Sequence, residues 1–100
     1  MERHASITPA HPGEILREDV LPALGMSKAE VAAALGIPFK TLHDILDERR
    51  PVTAEMALRL GKLLGNGAQL WTNLQRSHDL AVAARSVDLS AIPTLRARAG

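Results

Sequence analysis

The 100-residue sequence predicts an all-α domain built from five helices. Apolar residues recur at helical spacing along most of the chain, whereas the alternating pattern of a β-strand is nearly absent. Capping residues and glycines stand where helices would start and stop. Trp71 and Phe39 are the only aromatic residues, so we expect an aliphatic core. One hundred residues suffice for a single hydrophobic core, which indicates one compact domain.

The first ten residues are polar, and we interpret residues 1–10 as a flexible N-terminal arm. A helix is expected from about His11, with an apolar face formed by Ile15, Leu16, Val20 and Leu24. Pro22 should end or kink this helix near Leu21, because proline donates no backbone hydrogen bond. Gly25 separates this helix from the next.

The segment from Ser27 to Leu46 carries the signals of a helix-turn-helix. Ser27 and Glu30 form a capping-box pair, and Gly36 suits the left-handed residue that follows a helix. Pro38 then occupies a favourable first position of the second helix. The residues predicted to pack inward are Val31, Ala32, Leu35, Ile37, Leu42 and Ile45. An ordinary helical hairpin is the alternative interpretation.

Two further helices follow a charged connection. Thr53 is expected to cap the fourth, whose apolar face consists of Met56, Ala57, Leu60, Leu63 and Leu64. Asn66, with Gln69 three residues later, is expected to open the fifth, which runs to about residue 85. Its apolar stripe predicts a two-fold dimer interface formed by Leu70, Trp71, Leu74, His78 and Ala81. For Trp71, a place in the core is the alternative.

These elements define three regions: the arm of residues 1–10, a helix-turn-helix domain with a dimerisation helix at residues 11–85, and a tail at residues 86–100. In the tail, Pro93 argues against a helix. The tail is therefore expected to be disordered or to form a short extended segment near residues 91–95.

The second helix of a helix-turn-helix enters the major groove of DNA with its N-terminal half, so its outward side chains are candidate DNA ligands. With Leu42 and Ile45 inside, we expect Asp44 to face outward. The predicted DNA-binding residues are Ser27, Lys28, Phe39, Lys40, Thr41, His43, Asp44, Arg49 and Arg50. Three simpler interpretations stay open: Phe39 packs against Leu46, the acidic residues form a solvated face, and the two arginines belong to an exposed loop.

Composition limits the other functions. The formal net charge is only +1, so affinity for DNA must come from local placement of cations and from a doubled site in a dimer. There is no cysteine, which excludes thiolate chemistry and fits a reducing cytoplasm. No apolar run approaches the length of a membrane span, and residues 1–10 lack the hydrophobic segment of a signal peptide.

Catalysis and metal binding find little support in the sequence. His43 and Asp47 have helical i, i+4 spacing, but no third ligand follows at a suitable distance. No phosphate-binding glycine loop, nucleophile elbow or zinc-protease motif is present. We therefore expect no enzyme activity, no cofactor, no metal and no membrane partner, and a cytoplasmic location.

The chain from about residue 11 to 84 resembles the HigA-type (VapI-like) antitoxins of the Xre or Cro-like helix-turn-helix family. The resemblance rests on HPGEILRED, the LGIP turn, VTAEMALRLGKLLG and LWTNLQRSHDL. The sequence departs from the family at Lys28, where glutamine is frequent, and at Asp47-Glu48, where a glycine-containing turn is usual.

The resemblance implies a lambda-repressor-like fold and a homodimer that represses its own operon by binding operator DNA. It also implies that the chain neutralises a HigB-like toxin, an mRNA-cleaving endoribonuclease. By position, Lys28, Phe39, Lys40, His43 and Asp44 correspond to residues that contact DNA in such proteins. A solitary transcriptional regulator, or a protein-interaction module without DNA binding, are the alternatives.

Overall fold

The computed structural model describes residues 8–97, which contain five helices and no β-strand. We number them α1 (residues 12–24), α2 (Lys28–Leu35), α3 (Phe39–Leu46), α4 (Ala54–Leu64) and α5 (Ala68–Ser86). The predicted all-α class with five helices is confirmed. Residues 1–7 of the predicted arm and residues 98–100 of the predicted tail lie outside the described part of the chain.

Helix α1 contains a π-helical turn, Leu16–Val20, between the α-helical segments Pro12–Ile15 and Leu21–Leu24. Of the two outcomes expected at Pro22, an end or a kink, the end is wrong, because the helix continues to Leu24. Pro22 lies in the first turn after the π turn, where a missing N–H is tolerated.

The π turn also changes the buried face of α1. A π-helical turn holds more residues than an α-helical one, so Leu16 and Leu21, five residues apart, are both buried. Leu24, predicted to face the core, is 40% exposed. The regular 3.6-residue period used for the prediction does not hold through this segment.

Local chemistry fixes the turn between α2 and α3. The Ser27 hydroxyl accepts a hydrogen bond from the Glu30 N–H at 3.1 Å, and the Glu30 carboxylate accepts one from the Ser27 N–H at 2.8 Å. Gly36 has a φ of +73°, as expected of a residue that ends a helix in the left-handed region. Pro38 is the N-cap of α3 and not its first helical residue, because its ψ of 147° is extended.

Helix α1 crosses the C-terminal half of α3 at close range. A Cβ atom at Gly13 would overlap the main-chain carbonyl of Ile45, so only glycine permits this approach. The predicted inward residues of the helix-turn-helix are buried or packed against the core. The buried cluster comprises Leu16, Leu21, Val31, Ala32, Leu35, Leu42, Ile45, Leu46, Val52, Met56, Ala57, Leu60 and Trp71.

Helix α4 begins as predicted, with the Thr53 hydroxyl accepting from the Met56 N–H at 3.2 Å. Leu63, assigned to its inward face, is 37% exposed. Asn66 is not the cap of the last helix, because α5 begins at Ala68 and Gly67 is its N-cap. The Asn66 side chain instead accepts a hydrogen bond from the Trp71 indole N–H at 3.1 Å, since the buried indole requires a partner.

The second half of α5 extends beyond the core. Leu80 is 70% exposed and Val82 is 46% exposed. After Ser86, the described residues form no regular structure, and Leu89, Ile92 and Leu95 lie on the surface. Among the described residues, no helix is both long enough and apolar enough to cross a membrane.

Candidate nucleic-acid interface

The first turn of α3 presents exposed residues at the start of the recognition helix. Its N-cap is Pro38, which supplies no side-chain hydrogen bond to the first backbone N–H groups. These groups carry the positive end of the helix dipole and suit a phosphate oxygen. Phe39 and Lys40 project from the same turn, Phe39 with half of its surface exposed. This turn therefore offers main-chain donors, a cation and an apolar ring together.

Phe39 stacks on His43 and is absent from the core. The ring centroids are 6.0 Å apart and the planes differ by 13°. The His43 ring also lies 3.3 Å from the carboxylate of Asp47, measured from Nε2 to Oδ2. Half of the Phe39 surface therefore stays outside the buried cluster that contains Leu46. An exposed ring at the start of a recognition helix can contact a thymine methyl group.

Asp44 does not face outward as predicted. The residue is 8% exposed, and its carboxylate accepts hydrogen bonds from Lys40 Nζ at 3.1 and 3.3 Å. Arg50 Nη2 lies 3.8 Å from the same carboxylate. The hydrogen bond from Lys40 holds the pKa of Asp44 below its usual value, with further contributions from the charges of Lys40 and the two nearby arginines. One carboxylate thus neighbours two predicted DNA-binding cations.

The cations flanking α3 are accessible. The Lys40 side chain is 80% exposed although it is ion-paired. Arg49, 69% exposed, lies 3.5 Å from Asp47 through Nη2 and Oδ2. Lys28 is exposed at the first position of α2. The hydroxyl of Ser27 accepts the capping bond, and its O–H can still donate to a phosphate oxygen.

Arg17 is a residue of this site that the sequence analysis missed. Its Nη1 donates to the main-chain oxygen of Leu46 at 2.7 Å and to the carboxylate of Glu48 at 3.3 Å. It thereby satisfies a carbonyl at the end of α3 and fixes the recognition helix to α1. No local spacing signals this contact, because the partners lie 29 and 31 residues away.

The departure at Asp47-Glu48 has a structural consequence. Glu48 has a φ of +63°, the left-handed conformation that glycine adopts more easily. Its carboxylate is bonded to Arg17 on α1. The negative charge is therefore partly neutralised within the chain.

The five predicted interface residues of α5 are not on one surface. Trp71 is 1% exposed and belongs to the core of the single chain, so its assignment to a dimer interface is wrong. Leu74 packs against the same core, while Leu70 is 43% exposed. The His78 Nδ1–H donates to the main-chain oxygen of Pro9 at 2.8 Å, which joins the start of the described chain to α5.

No group of three or more metal-ligating side chains occurs among the described residues. His43 and Asp47 form a pair only. The site combines cations and main-chain donors with two stacked rings and with carboxylates that pair with the cations. The cations, the donors and the Phe39 ring suit a nucleic-acid backbone and base edges.

We compared the chain with protein-family models, with known proteins and with solved structures. No family model matches the chain. It is 44% identical to virulence-associated protein I of Dichelobacter nodosus over 73 residues, which cover 73% of this chain and 68% of that protein.

Two solved structures extend the comparison. Antitoxin GraA in complex with its operator superposes with a TM-score of 0.85 at 38% identity, covering 96% of this chain and 100% of that one. Pseudomonas aeruginosa antitoxin HigA with the higBA promoter gives a TM-score of 0.76 at 38% identity, covering 87% and 99%. The chain belongs to the HigA-type (VapI-like) antitoxin family of helix-turn-helix proteins.

Proposed function

We propose that this chain is the antitoxin of a type II toxin-antitoxin pair that binds operator DNA as a homodimer, represses its own operon and neutralises a HigB-like mRNA endoribonuclease. It acts in the cytoplasm by binding and has no catalytic activity of its own. The observation that carries the proposal is the first turn of α3, where Lys40, Phe39 and uncapped main-chain donors lie together on the surface.

The DNA-binding part rests on the recognition helix. Lys28 is the first residue of α2, and Lys40 lies in the first turn of α3. Arg49 and Arg50 follow α3, so cations lie at both ends of the recognition helix. Such contacts to phosphates fix the protein on the duplex, and Lys40 and Phe39 are the side chains best placed for base edges. The related antitoxins solved with operator or promoter DNA support this assignment.

The toxin-binding part rests on family membership, since related chains are antitoxins. In this proposal neutralisation is stoichiometric, by covering or distorting the active site of the toxin. We place the toxin on the segment from His11 to Asp19 or on the exposed side of α5. Both lie outside the α2–α3 unit that DNA would occupy.

Lys40→Ala tests the DNA-binding proposal. If Lys40 reads guanine, operator affinity should fall by ~1–3 kcal/mol, concentrated at one base pair. If it contacts a phosphate, binding to operator and scrambled duplex should fall alike and the salt dependence should become shallower. Titrations at several salt concentrations measure both, with Lys62→Ala on α4 as the matched control. Unchanged binding to both duplexes would remove Lys40 from the site.

Mixing the purified chain with the toxin encoded beside it tests neutralisation. RNA cleavage should stop at a fixed molar ratio, and the Lys40→Ala variant should inhibit equally well because its change lies on the DNA side. If the chain binds its operator but neither binds nor inhibits the neighbouring toxin, the solitary-regulator alternative is correct.

A further inference from the structure

Asp44 combines two properties that conflict in a DNA-binding helix. A carboxylate repels phosphates, yet this one lies on the recognition helix between predicted DNA ligands. Its side chain is only 12% exposed, whereas its neighbours Lys40 and Arg50 are 80% and 48% exposed. The acidic group is thus withdrawn from the surface while the two cations around it remain accessible.

The two cations come from opposite ends of α3. Lys40 lies in its first turn and reaches Asp44 one turn later, at 3.1 Å. Arg50 lies four residues beyond the end of the helix and returns to the same carboxylate, with 3.8 Å between Nη2 and Oδ2. A single buried carboxylate therefore lies next to cations from both ends of the helix.

Main-chain contacts hold the Arg50 loop against this site. The Arg49 N–H donates to the main-chain oxygen of Asp44 at 2.9 Å. The Val52 N–H donates to the buried Gln75 side chain at 2.8 Å, which fastens the loop to α5. The loop is fixed on both sides of Arg50, so the remaining freedom is in the long side chain itself.

We propose that Asp44 is a positioning residue for DNA binding: it orders Lys40 and Arg50 as a pair facing one stretch of DNA backbone and reads no base. This inference rests on the proposed DNA-binding function. Long cationic side chains lose rotamer freedom when they bind a phosphate, and a carboxylate that orders them beforehand lowers that cost. The repulsion of phosphate by Asp44 is reduced because both cations lie beside it.

The proposal predicts that Asp44→Asn changes DNA affinity in the direction opposite to the usual one. Removing a negative charge near DNA ordinarily tightens binding, because fewer like charges oppose the phosphates. If Asp44 positions the cations, the substitution instead weakens binding by about three- to tenfold, in line with the cost of ordering a long side chain when the complex forms. Asp88→Asn, in the exposed tail, removes the same charge and serves as the matched control.

The experiment measures the affinity of wild type, Asp44→Asn and Asp88→Asn for operator and for scrambled duplex, with circular dichroism to verify folding. We expect Asp44→Asn to weaken both complexes, and Lys40→Ala or Arg50→Ala to cost less in the Asp44→Asn background than alone. This non-additivity would not follow from a merely structural role. Tighter or unchanged binding overturns the inference, as does a loss confined to one operator base pair, which would indicate direct readout.

A second measurement needs no DNA. Side-chain ¹⁵N NMR of the free protein should show an ordered Lys40 and Arg50 in wild type and mobile ones in Asp44→Asn. Equal mobility in both proteins overturns the inference on its own. Failure of the wild-type chain to bind its operator contradicts the proposed function instead, so the two failures are distinguishable.

Discussion

Glu48 is the only residue other than glycine with a positive φ in the described chain, and it lies just after the recognition helix. A left-handed conformation costs an ordinary L-residue about 1–2 kcal/mol. Its contact with Arg17 offsets part of that cost, although such partly exposed ion pairs contribute little. The turn therefore retains some strain.

We expect the stability of Glu48 variants to follow their tolerance of a positive φ. Relative to Glu48→Gln, which removes only the charge, Glu48→Asn should be more stable and Glu48→Val less stable, each by ~1 kcal/mol. Urea unfolding of the three variants measures the order. Equal stabilities would show that the backbone conformation carries no cost here.

His11 is a second residue whose properties depend on its position in the fold, in this case its pKa. It is buried at the start of α1, and its Nδ1 accepts a hydrogen bond from the Gly13 N–H at 2.8 Å. The His11 ring also meets that of His78 edge to face, 5.1 Å away. Burial, and secondly the neighbouring His78, lower the pKa of His11 below 6.5.

This lowered pKa makes stability depend on pH. The unfolded chain binds a proton near pH 6.5 while the folded chain resists it, so stability is complete above 6.5 and declines as the pH falls toward the folded pKa. His11→Asn keeps an N-cap acceptor and does not titrate. Thermal unfolding between pH 7.5 and 5 should therefore show a steeper decline for wild type than for the variant. Parallel curves would contradict this assignment.

At the scale of helices, the crossing of α1 over α3 depends on Gly13. An added Cβ meets the Ile45 carbonyl, which belongs to a helix and cannot move alone. Gly13→Ala should therefore destabilise the protein by ~3 kcal/mol, the upper range for overpacking. It should also weaken operator binding by displacing the recognition helix.

Gly65→Ala is the control for this substitution. Gly65 has a φ of +75° with no atom near the added Cβ, so only backbone strain of ~1–2 kcal/mol is expected. Denaturant unfolding of the two variants compares them. Equal losses of stability would show that the added Cβ at Gly13 costs no more than backbone strain does at Gly65, so the close approach of α1 to α3 would not require glycine.

The helices that the sequence predicted well are those with local signals. The Ser27–Glu30 box, Gly36 and the Thr53 cap act within a few residues, and the structure has each of them as expected. The apolar period of α2 and α3 was also sufficient, because both are short and regular.

The sequence-based predictions are wrong where contacts beyond the local sequence pattern determine the structure. The π turn of α1 changes which leucines are buried, and no residue within the turn predicts it from sequence. The helical period predicts that Asp44 faces outward, but Asp44 is buried and Arg50, from the loop after α3, lies beside its carboxylate. Asn66 has the sequence pattern of an N-cap, but its side chain instead accepts a hydrogen bond from the Trp71 indole N–H.

At the scale of the whole molecule, α5 exposes large apolar side chains in its first turn and in its second half. Leu70, Leu80 and Val82 are 43%, 70% and 46% exposed. Exposed apolar surface of this kind marks interaction sites. The proposed homodimer makes a second copy the expected occupant, with α5 of each protomer at the two-fold axis.

Leu80→Arg is the substitution that tests this dimer. Leu74, on the predicted stripe, packs on its own core, so a charge there would damage the monomer as well. Leu80 lies beyond the core, and Leu80→Arg should leave the helical content unchanged while light scattering at micromolar concentration shifts from dimer to monomer. Operator affinity should fall with it, because two recognition helices spaced by about 34 Å bind adjacent half-sites only when they are joined.

Leu58→Arg supplies the control, since Leu58 is 65% exposed on α4 and takes the same substitution at similar exposure. It should remain dimeric and bind the operator as wild type does, because its charge lies away from α5. A wild type that is monomeric at micromolar concentration would contradict the dimer itself. If Leu80→Arg remains a dimer, the two-fold axis does not lie along α5. The two recognition helices would then have to be brought to one face of the DNA by another surface.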